Sequence, residues 1–447
     1  METTERMRRF VEALENELTV EDCEVHLEGC IGCGNCGHAC AWYLVTNDPK
    51  YHPKTRSDLV RKVYRRYLTT GGRLRARLGL ASGPSDEELE EAMSLFWNSC
   101  TMCGRCSLAC MHGVSNRRIT QLARTALTAA GMVPDTVGTI KKNAARRKHS
   151  FGLSFNDSVG EIIRAGEEQG ITIPVDHVGV DYLWVCSAII NANIPAAVVD
   201  IAKMLNTAGV SYTLSSKIKD TGTEVQTVVV DPLLSKNFIE RLEKEARRLN
   251  CKGIIVGECG CDVRTFCVDA SRILKRQFAL EVAYIDPLLL AEVERGRIPL
   301  EKLDMKVTYH DPCWTGRQSG YFEEPRELLK RCVTDFVEMT PNRAHNYCCN
   351  AGAGPWRMWG PSSNGGNLRR EVSVLKARQI EQTHADYVVT PCTTCYLSLV
   401  DITSFYNLGT EAGMVAGIAC EAMERALKKA GELHRMRAPA NGRVTVA

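Results

Sequence analysis

The chain has 447 residues, too many for one ordinary hydrophobic core and suited to two or three domains. Lys and Arg number 56 against 53 Asp and Glu, a near balance that excludes binding of polyanions by bulk charge and leaves any basic recognition to local patches. The 21 cysteines are far above ordinary usage, and the opening METTERMRRF has no apolar core of the kind a secretory signal needs. A reducing cytoplasmic setting is therefore expected, where clustered cysteines act as metal ligands or reactive thiols more often than as disulfides.

Residues 1–150 read as a mostly helical ferredoxin-type domain. CIGCGNCGHAC places Cys30, Cys33, Cys36 and Cys40, and CTMCGRCSLAC places Cys100, Cys103, Cys106 and Cys110. Both have two residues between the first three cysteines and three before the fourth, the bacterial ferredoxin spacing. Thiolates are soft ligands suited to iron–sulfur clusters, and Gly32, Gly34 and Gly104 let the backbone wrap closely. In paired motifs the fourth cysteine commonly serves the other cluster, so Cys30, Cys33, Cys36 and Cys110 form one expected [4Fe-4S] cubane set. Cys100, Cys103, Cys106 and Cys40 form the other. Ala41 and Met111 stand where a proline usually follows, which affects the turn and not the ligands. The alternative is a pair of four-cysteine zinc sites in a non-catalytic scaffold, although those more often show two separated CxxC knuckles. Between the motifs, helices are predicted over Asp58–Tyr67 and Ser85–Trp97, the second started by Ser85 with Glu88 three residues on. Basic residues crowd between Arg56 and Arg77, and again from Lys141 to Lys148. Such runs are usually solvated faces; the other reading is docking to an acidic partner or anionic headgroups. Without interleaved aromatics and with a small net charge, nucleic acid is not an expected partner.

From about residue 175 the texture changes. Tyr182–Cys186, Thr227–Asp231 and Gly253–Gly257 are β-rich runs alternating with amphipathic stretches such as Phe238–Asn250, which predicts α/β units. The most apolar stretch, Tyr182–Ala202, contains Asn191, Asn193, Pro195 and Asp200 and reads as a core strand and helix, not a membrane span. The texture restarts at Lys306–His310. DYLWVCS parallels KVTYHDPC, and GIIVGECGC parallels DYVVTPCTTC, with 73 residues from Cys186 to Cys259 and 79 from Cys313 to Cys392. An internal duplication is expected, with halves 151–299 and 300–447. The predicted fold is therefore a multidomain α+β chain, a helical two-cluster domain followed by two pseudo-repeated α/β halves.

The second half carries Cys313, the adjacent Cys348 and Cys349, and Cys392 with Cys395, an order that is not a cubane set. Here HDPCW, YCCNAGAG and PCTTC resemble the cysteine-rich (CCG) signature of the heterodisulfide reductase family, and the resemblance to its D-type subunits covers most of the chain. YHDPC, EEPREL, FVEMTPNR and HNYCC resemble in particular the catalytic iron–sulfur subunit, letter K, of the membrane complex associated with dissimilatory sulfite reduction. The resemblance implies a noncubane [4Fe-4S] cluster on Cys313, Cys348, Cys349, Cys392 and Cys395, at which a disulfide or trisulfide is cleaved with electrons delivered by the two cubanes. Asn350 departs from the signature glycine. It also implies a membrane-associated respiratory complex, with a quinone-reactive or cytochrome b-type partner subunit holding the chain on the cytoplasmic face of the membrane. The substrate expected is a small sulfur-carrier protein or a low-molecular-weight disulfide. His310, Asp311 and His345 flank the cysteines, and His310 is the candidate proton donor. The first half lacks an adjacent cysteine pair, so Cys259 and Cys261 are read as pocket walls or as small buried residues. The rival within the family is a pure relay between a flavin dehydrogenase and quinone; no dinucleotide-binding glycine fingerprint follows a strand in this chain.

Overall fold

A computed structural model describes residues 3–21, 23–359 and 367–438. They form two compact units. The first comprises Met1–Thr139, Thr227–Pro232 and Tyr347–Leu375; the second comprises Ile140–Gln226, Leu233–Asn346 and Lys376–Ala447.

Among the described residues the first unit is helical, and every strand lies in the second. Helix Thr3–Glu21 packs on helix Asn116–Ala129 through an apolar stripe that includes Phe10, Leu14, Leu122 and Ala126. The helix expected from Asp58 begins earlier, at Pro53, because His52 caps it: His52 Nδ1 accepts from the Lys54 amide at 3.1 Å, and proline fits the first helical turn. The Ser85 signal forms as expected. Helix Asp86–Asn98 opens with a reciprocal capping box between Ser85 and Glu88.

Thr227–Asp231, expected as a β run, forms no strand: Thr227–Val229 end a π-helical turn, Val225–Val229, and Val230 and Asp231 follow it. Side chains from the helices take its carbonyls. Trp97 Nε1 donates to Val228 O at 2.7 Å, Arg124 Nη1 to Thr227 O at 3.1 Å, and Thr128 Oγ1 to Val229 O at 2.7 Å. Carbonyls satisfied this way need no neighbouring strand, and β-branched residues alone do not make one.

The second unit holds two four-stranded parallel sheets. The first contains β1 (Tyr182–Trp184), β2 (Tyr212–Thr213), β3 (Gly253–Val256) and β4 (Glu281–Tyr284), in the order β2-β1-β3-β4. The second contains β5 (Leu303–Tyr309), β6 (Val333–Val337), β7 (Tyr387–Thr390) and β8 (Glu411–Met414), in the order β6-β5-β7-β8. The two orders are the same. The apolar stretch after β1 breaks into helices Ala188–Asn193 and Pro195–Ala208, as its proline and asparagines suggest. Ile255 of β3, Val307 of β5 and Val389 of β7 share one buried cluster with helices Pro195–Ala208 and Val415–Ala430. Central strands enclosed on both faces explain their unbroken apolar runs.

Sheet order fixes where chemistry can occur. Chains leaving β1 and β3, or β5 and β7, diverge to opposite sides, so the C-terminal ends of these neighbours form the crevice that ligands occupy in open parallel sheets. Cys186 and Cys259 follow β1 and β3; Cys313 and Cys392 follow β5 and β7.

Candidate iron–sulfur sites

In the helical unit the eight motif cysteines line two cavities, four to each. Cys30, Cys33, Cys36 and Cys110 line one. Cys40, Cys100, Cys103 and Cys106 line the other. This is the crossed grouping expected from the paired spacing, and local contacts account for it. Asn35 and Arg105 occupy the same place in the two motifs, each after a left-handed glycine, Gly34 and Gly104, both at φ 78°. Asn35 Nδ2 donates to Ala109 O at 2.9 Å, just before Cys110, and Arg105 Nη1 donates to Ala39 O at 3.1 Å, just before Cys40. Each motif thereby holds the fourth cysteine of the other at its own cavity. His52 Nε2 contacts Gly34 O at 3.0 Å, and a Cβ on Gly37 would lie 2.5 Å from that nitrogen, so glycine is required there.

The two cavities differ in exposure and charge. Cys33 is exposed, whereas Cys40 and Cys106 lie in a more enclosed setting where burial pushes their thiols up. Binding metal there must displace protons. Arg56, which the sequence placed in a solvated basic run, is 5% exposed, and its Nη2 lies 3.8 Å from Cys40 Sγ. Its Nη1 donates to Tyr51 O at 2.8 Å. No sequence signal separated it from its neighbours; only the tertiary position does.

The inner cavity is also lined by Tyr347, Cys348 and Asn350. Cys348 Sγ lies 3.4 Å from Thr101 Oγ1, and the Asn350 amide donates to Cys348 Sγ at 3.4 Å. Asn350 adopts φ 60°, a left-handed conformation that asparagine tolerates, so its departure from glycine leaves the turn intact. Gly354 is required: at φ 134°, a Cβ there would lie 2.8 Å from Trp97 O. Cys349 is buried in the same loop.

In the α/β unit, Cys313, Cys392 and Cys395 are buried at the ends of β5 and β7. Cys392 caps helix Thr393–Phe405 and Cys395 stands one turn along it. Hydrogen bonds from Cys259, then Cys395, and from the Gly260 amide hold the Cys392 thiol well below its usual range. Cys259 is buried, with its Sγ 3.9 Å from Cys392 Sγ. The strand end that carries Cys313 is braced by a buried ion pair: Arg326 Nη1 and Nη2 meet Asp311 Oδ1 and Oδ2 at 2.6 and 2.8 Å. His310 is buried, with Nδ1 3.3 Å from Asn346 Nδ2, and Asn346 Oδ1 accepts from Lys376 Nζ at 2.6 Å. Burial first, and the Lys376 ammonium second, keep its imidazole neutral. His345 is exposed.

Sequence reasoning passed over Glu258, beside Cys259. It is buried and accepts from Trp184 Nε1; burial pushes its carboxyl up to about 7. Its backbone carbonyl accepts from the Thr393 amide at 2.8 Å, which ties the first half of the unit to the Cys392 loop.

Residues 26–114 match the 4Fe-4S dicluster domain model and residues 307–400 match the cysteine-rich domain model. The four-thiol cavities fit that cluster chemistry, and the zinc alternative is set aside: this is an iron–sulfur protein. The chain is 28% identical to the Hdr-like menaquinol oxidoreductase iron–sulfur subunit of Archaeoglobus profundus, over 77% of this chain and 70% of that protein. It is 26% identical to the D-type subunit of the dihydromethanophenazine:CoB–CoM heterodisulfide reductase of Methanosarcina acetivorans, over 84% and 89%. It is 24% identical to the EtfAB:quinone oxidoreductase of Syntrophomonas wolfei, over 84% and 55%. Over most of its length the chain is thus similar to D-type heterodisulfide reductase subunits and to Hdr-like iron–sulfur subunits, the resemblance its cysteine signatures suggested. Among the described residues no helix is long and apolar enough to cross a membrane.

The buried charges have measurable consequences. A buried cation beside Cys40 favours the reduced, more negative state of a cluster held there. Arg56→Met is expected to lower the potential of one of the two dicluster-domain signals by on the order of tens of millivolts in a spectroscopic redox titration; two unshifted potentials would contradict this. For Glu258, a folded-state value near 7 against 4.5 unfolded gives stability that is complete below about pH 4.5 and lost as pH rises through 7. Glu258→Gln should therefore gain on the natural chain between pH 5 and pH 8, by up to about 3 kcal/mol in denaturant titrations. A gain that does not change with pH contradicts the assignment.

Proposed function

We propose that this chain is the iron–sulfur subunit of a thiol/disulfide oxidoreductase complex, with electrons entering at the Cys30, Cys33, Cys36 and Cys110 site and reaching the five-cysteine set by way of the Cys40, Cys100, Cys103 and Cys106 site. The observation that carries this reading is the presence of Cys348 on the wall of the inner cavity, in contact with Thr101 between Cys100 and Cys103. A relay has use for such adjacency; a scaffold has none.

The ligand sets proposed are the two crossed cubane sets and a noncubane [4Fe-4S] cluster on Cys313, Cys348, Cys349, Cys392 and Cys395. When bound, these clusters supply one-electron steps and a thiophilic iron centre. The residues of the chain do the rest. The buried Arg326–Asp311 pair orients the loop of Cys313, and the start of helix Thr393–Phe405 favours the Cys392 thiolate. Cleaving one sulfur–sulfur bond consumes two electrons and two protons and yields two thiols; the reverse releases them. His310, neutral and buried, is assigned to passing a proton to or from sulfur through its hydrogen bonds and does not store a second proton.

The domains proposed are 1–150, 151–299 and 300–447, the last two being descendants of one duplicated unit, a view supported by their matching strand orders. Relatives named for menaquinol and quinone reactions support a quinone-related partner subunit; the partner proposed is quinone-reactive or cytochrome b-type and holds the chain on the cytoplasmic face of the membrane. The substrate class proposed is a disulfide or trisulfide of a small sulfur-carrier protein or low-molecular-weight thiol.

Cys348→Ser, purified without oxygen, is expected to keep dithionite-reducible clusters in the dicluster domain while disulfide reduction falls about 100-fold or more. Undiminished turnover would remove the five-cysteine set from catalysis. A wild-type chain that passes electrons from a flavin dehydrogenase toward quinone and reduces no disulfide would favour the pure relay.

A further inference from the structure

The basic run after Asp58 is not spread around the helical unit. From residue 59 to residue 85 the sequence has seven Lys and Arg and no Asp or Glu, in a chain whose net charge is only +3. The fold gathers this stretch into a helical hairpin. Helix Pro53–Tyr67 ends on Arg65 and Arg66, Thr69 caps the next helix by accepting from the Gly72 amide at 3.1 Å, and helix Thr70–Arg77 follows. The two helices touch so closely at the bend that a Cβ on Gly72 would sit 1.5 Å from Arg65 O, so the hairpin is a built feature that only glycine permits. Arg73 Nε donates to Tyr67 O at 2.7 Å across the same bend.

The hairpin presents two things to solvent. One is a groove lined by Lys54, Asp58, Lys62, Arg65, Arg66 and Arg75, with Lys54 paired to Asp58. Among the described residues Lys62 pairs with Glu88 and Arg61 with Asp58, while Arg65, Arg66, Arg75 and Arg77 have no carboxylate partner. The other is apolar: Leu74, Leu78 and Leu80 are 58%, 64% and 65% exposed, with Leu74 and Leu78 one turn apart on the same helix face. Arginines alternate with these leucines through Arg73, Arg75 and Arg77.

We propose that this hairpin binds the surface of an anionic phospholipid bilayer. Guanidinium groups of Arg65, Arg66, Arg75 and Arg77 would pair with lipid phosphates while Leu74, Leu78 and Leu80 enter the headgroup region. Charge complementarity chooses the occupant. An acidic protein would satisfy the arginines but leave three exposed leucines interspersed among them without purpose, whereas mixed basic and apolar side chains on one projecting element suit an interface that is charged outside and oily beneath. Neither the leucines nor the arginines alone hold a protein on a membrane; the two signals together do. The contact is the chain's own and does not depend on the cluster assignments or on a partner subunit.

The test is co-sedimentation of the full, cluster-loaded chain with vesicles of phosphatidylcholine alone or mixed with phosphatidylglycerol. Binding is expected only with the anionic lipid, weakening as salt is raised. The combined Leu74→Ser, Leu78→Ser and Leu80→Ser variant and, separately, the combined Arg65→Gln, Arg66→Gln, Arg75→Gln and Arg77→Gln variant should each weaken it at least about tenfold, with cluster absorbance unchanged. No binding to anionic vesicles, equal binding to both vesicle types, or binding untouched by both sets of substitutions would overturn the proposal. So would association that appears only when a membrane protein partner is reconstituted in the vesicles.

Discussion

Two hydrogen bonds organise the helical unit: Asn35 to the carbonyl before Cys110, and Arg105 to the carbonyl before Cys40. Each motif lines its own cavity with three thiols and holds the fourth cysteine of its counterpart there. That reciprocity demands that segments some seventy residues apart in sequence be brought together, and the intervening helices Pro53–Tyr67 and Asp86–Asn98 serve as the spacer. The rest of the unit supports this crossing. His52 caps one of those helices with one ring nitrogen and braces the Gly34 turn with the other. Arg124, fully buried, donates to the Cys100 carbonyl at 2.7 Å and to those of Phe96, Thr227 and Ala353. It thus joins the second motif, the π-helical turn and the loop of Cys348 and Cys349.

The α/β unit solves a different problem, holding buried cysteines at fixed places on the ends of strands. Parallel sheets place their loops there, and the divergence of connections at β5 and β7 leaves Cys313 and Cys392 on adjacent strand ends. The first half of the unit has the same strand order but no adjacent cysteine pair, and it meets the second through Cys259 against Cys392 and the Glu258 carbonyl on the Thr393 amide.

Much of this was legible from the chain. The ferredoxin spacing, the Ser85 and Glu88 helix start and the paired apolar runs at Tyr182, Gly253, Lys306 and Tyr387 express local rules, in which spacing or periodicity decides the outcome. What the residues did not disclose depends on tertiary placement. Thr227–Asp231 has strand-like residues, but Trp97, Arg124 and Thr128 occupy its carbonyls, and nothing local to the run announces them. Arg56 and Arg65 look alike in sequence, yet one is buried against Cys40 and the other lines a surface groove. Asn350 looked like a defect in a glycine signature and is a tolerated left-handed residue.

The claim on which the functional account rests is a third, five-cysteine cluster beside the two crossed cubanes. Iron and acid-labile sulfide should be counted on the chain purified without oxygen, with paramagnetic resonance of the oxidised and the dithionite-reduced protein. About twelve irons per chain, with an oxidised-state signal that changes on adding a thiol and is lost in Cys349→Ser, is the predicted result. About eight irons with no such signal would contradict it, leaving a two-cluster relay without a sulfur-active centre.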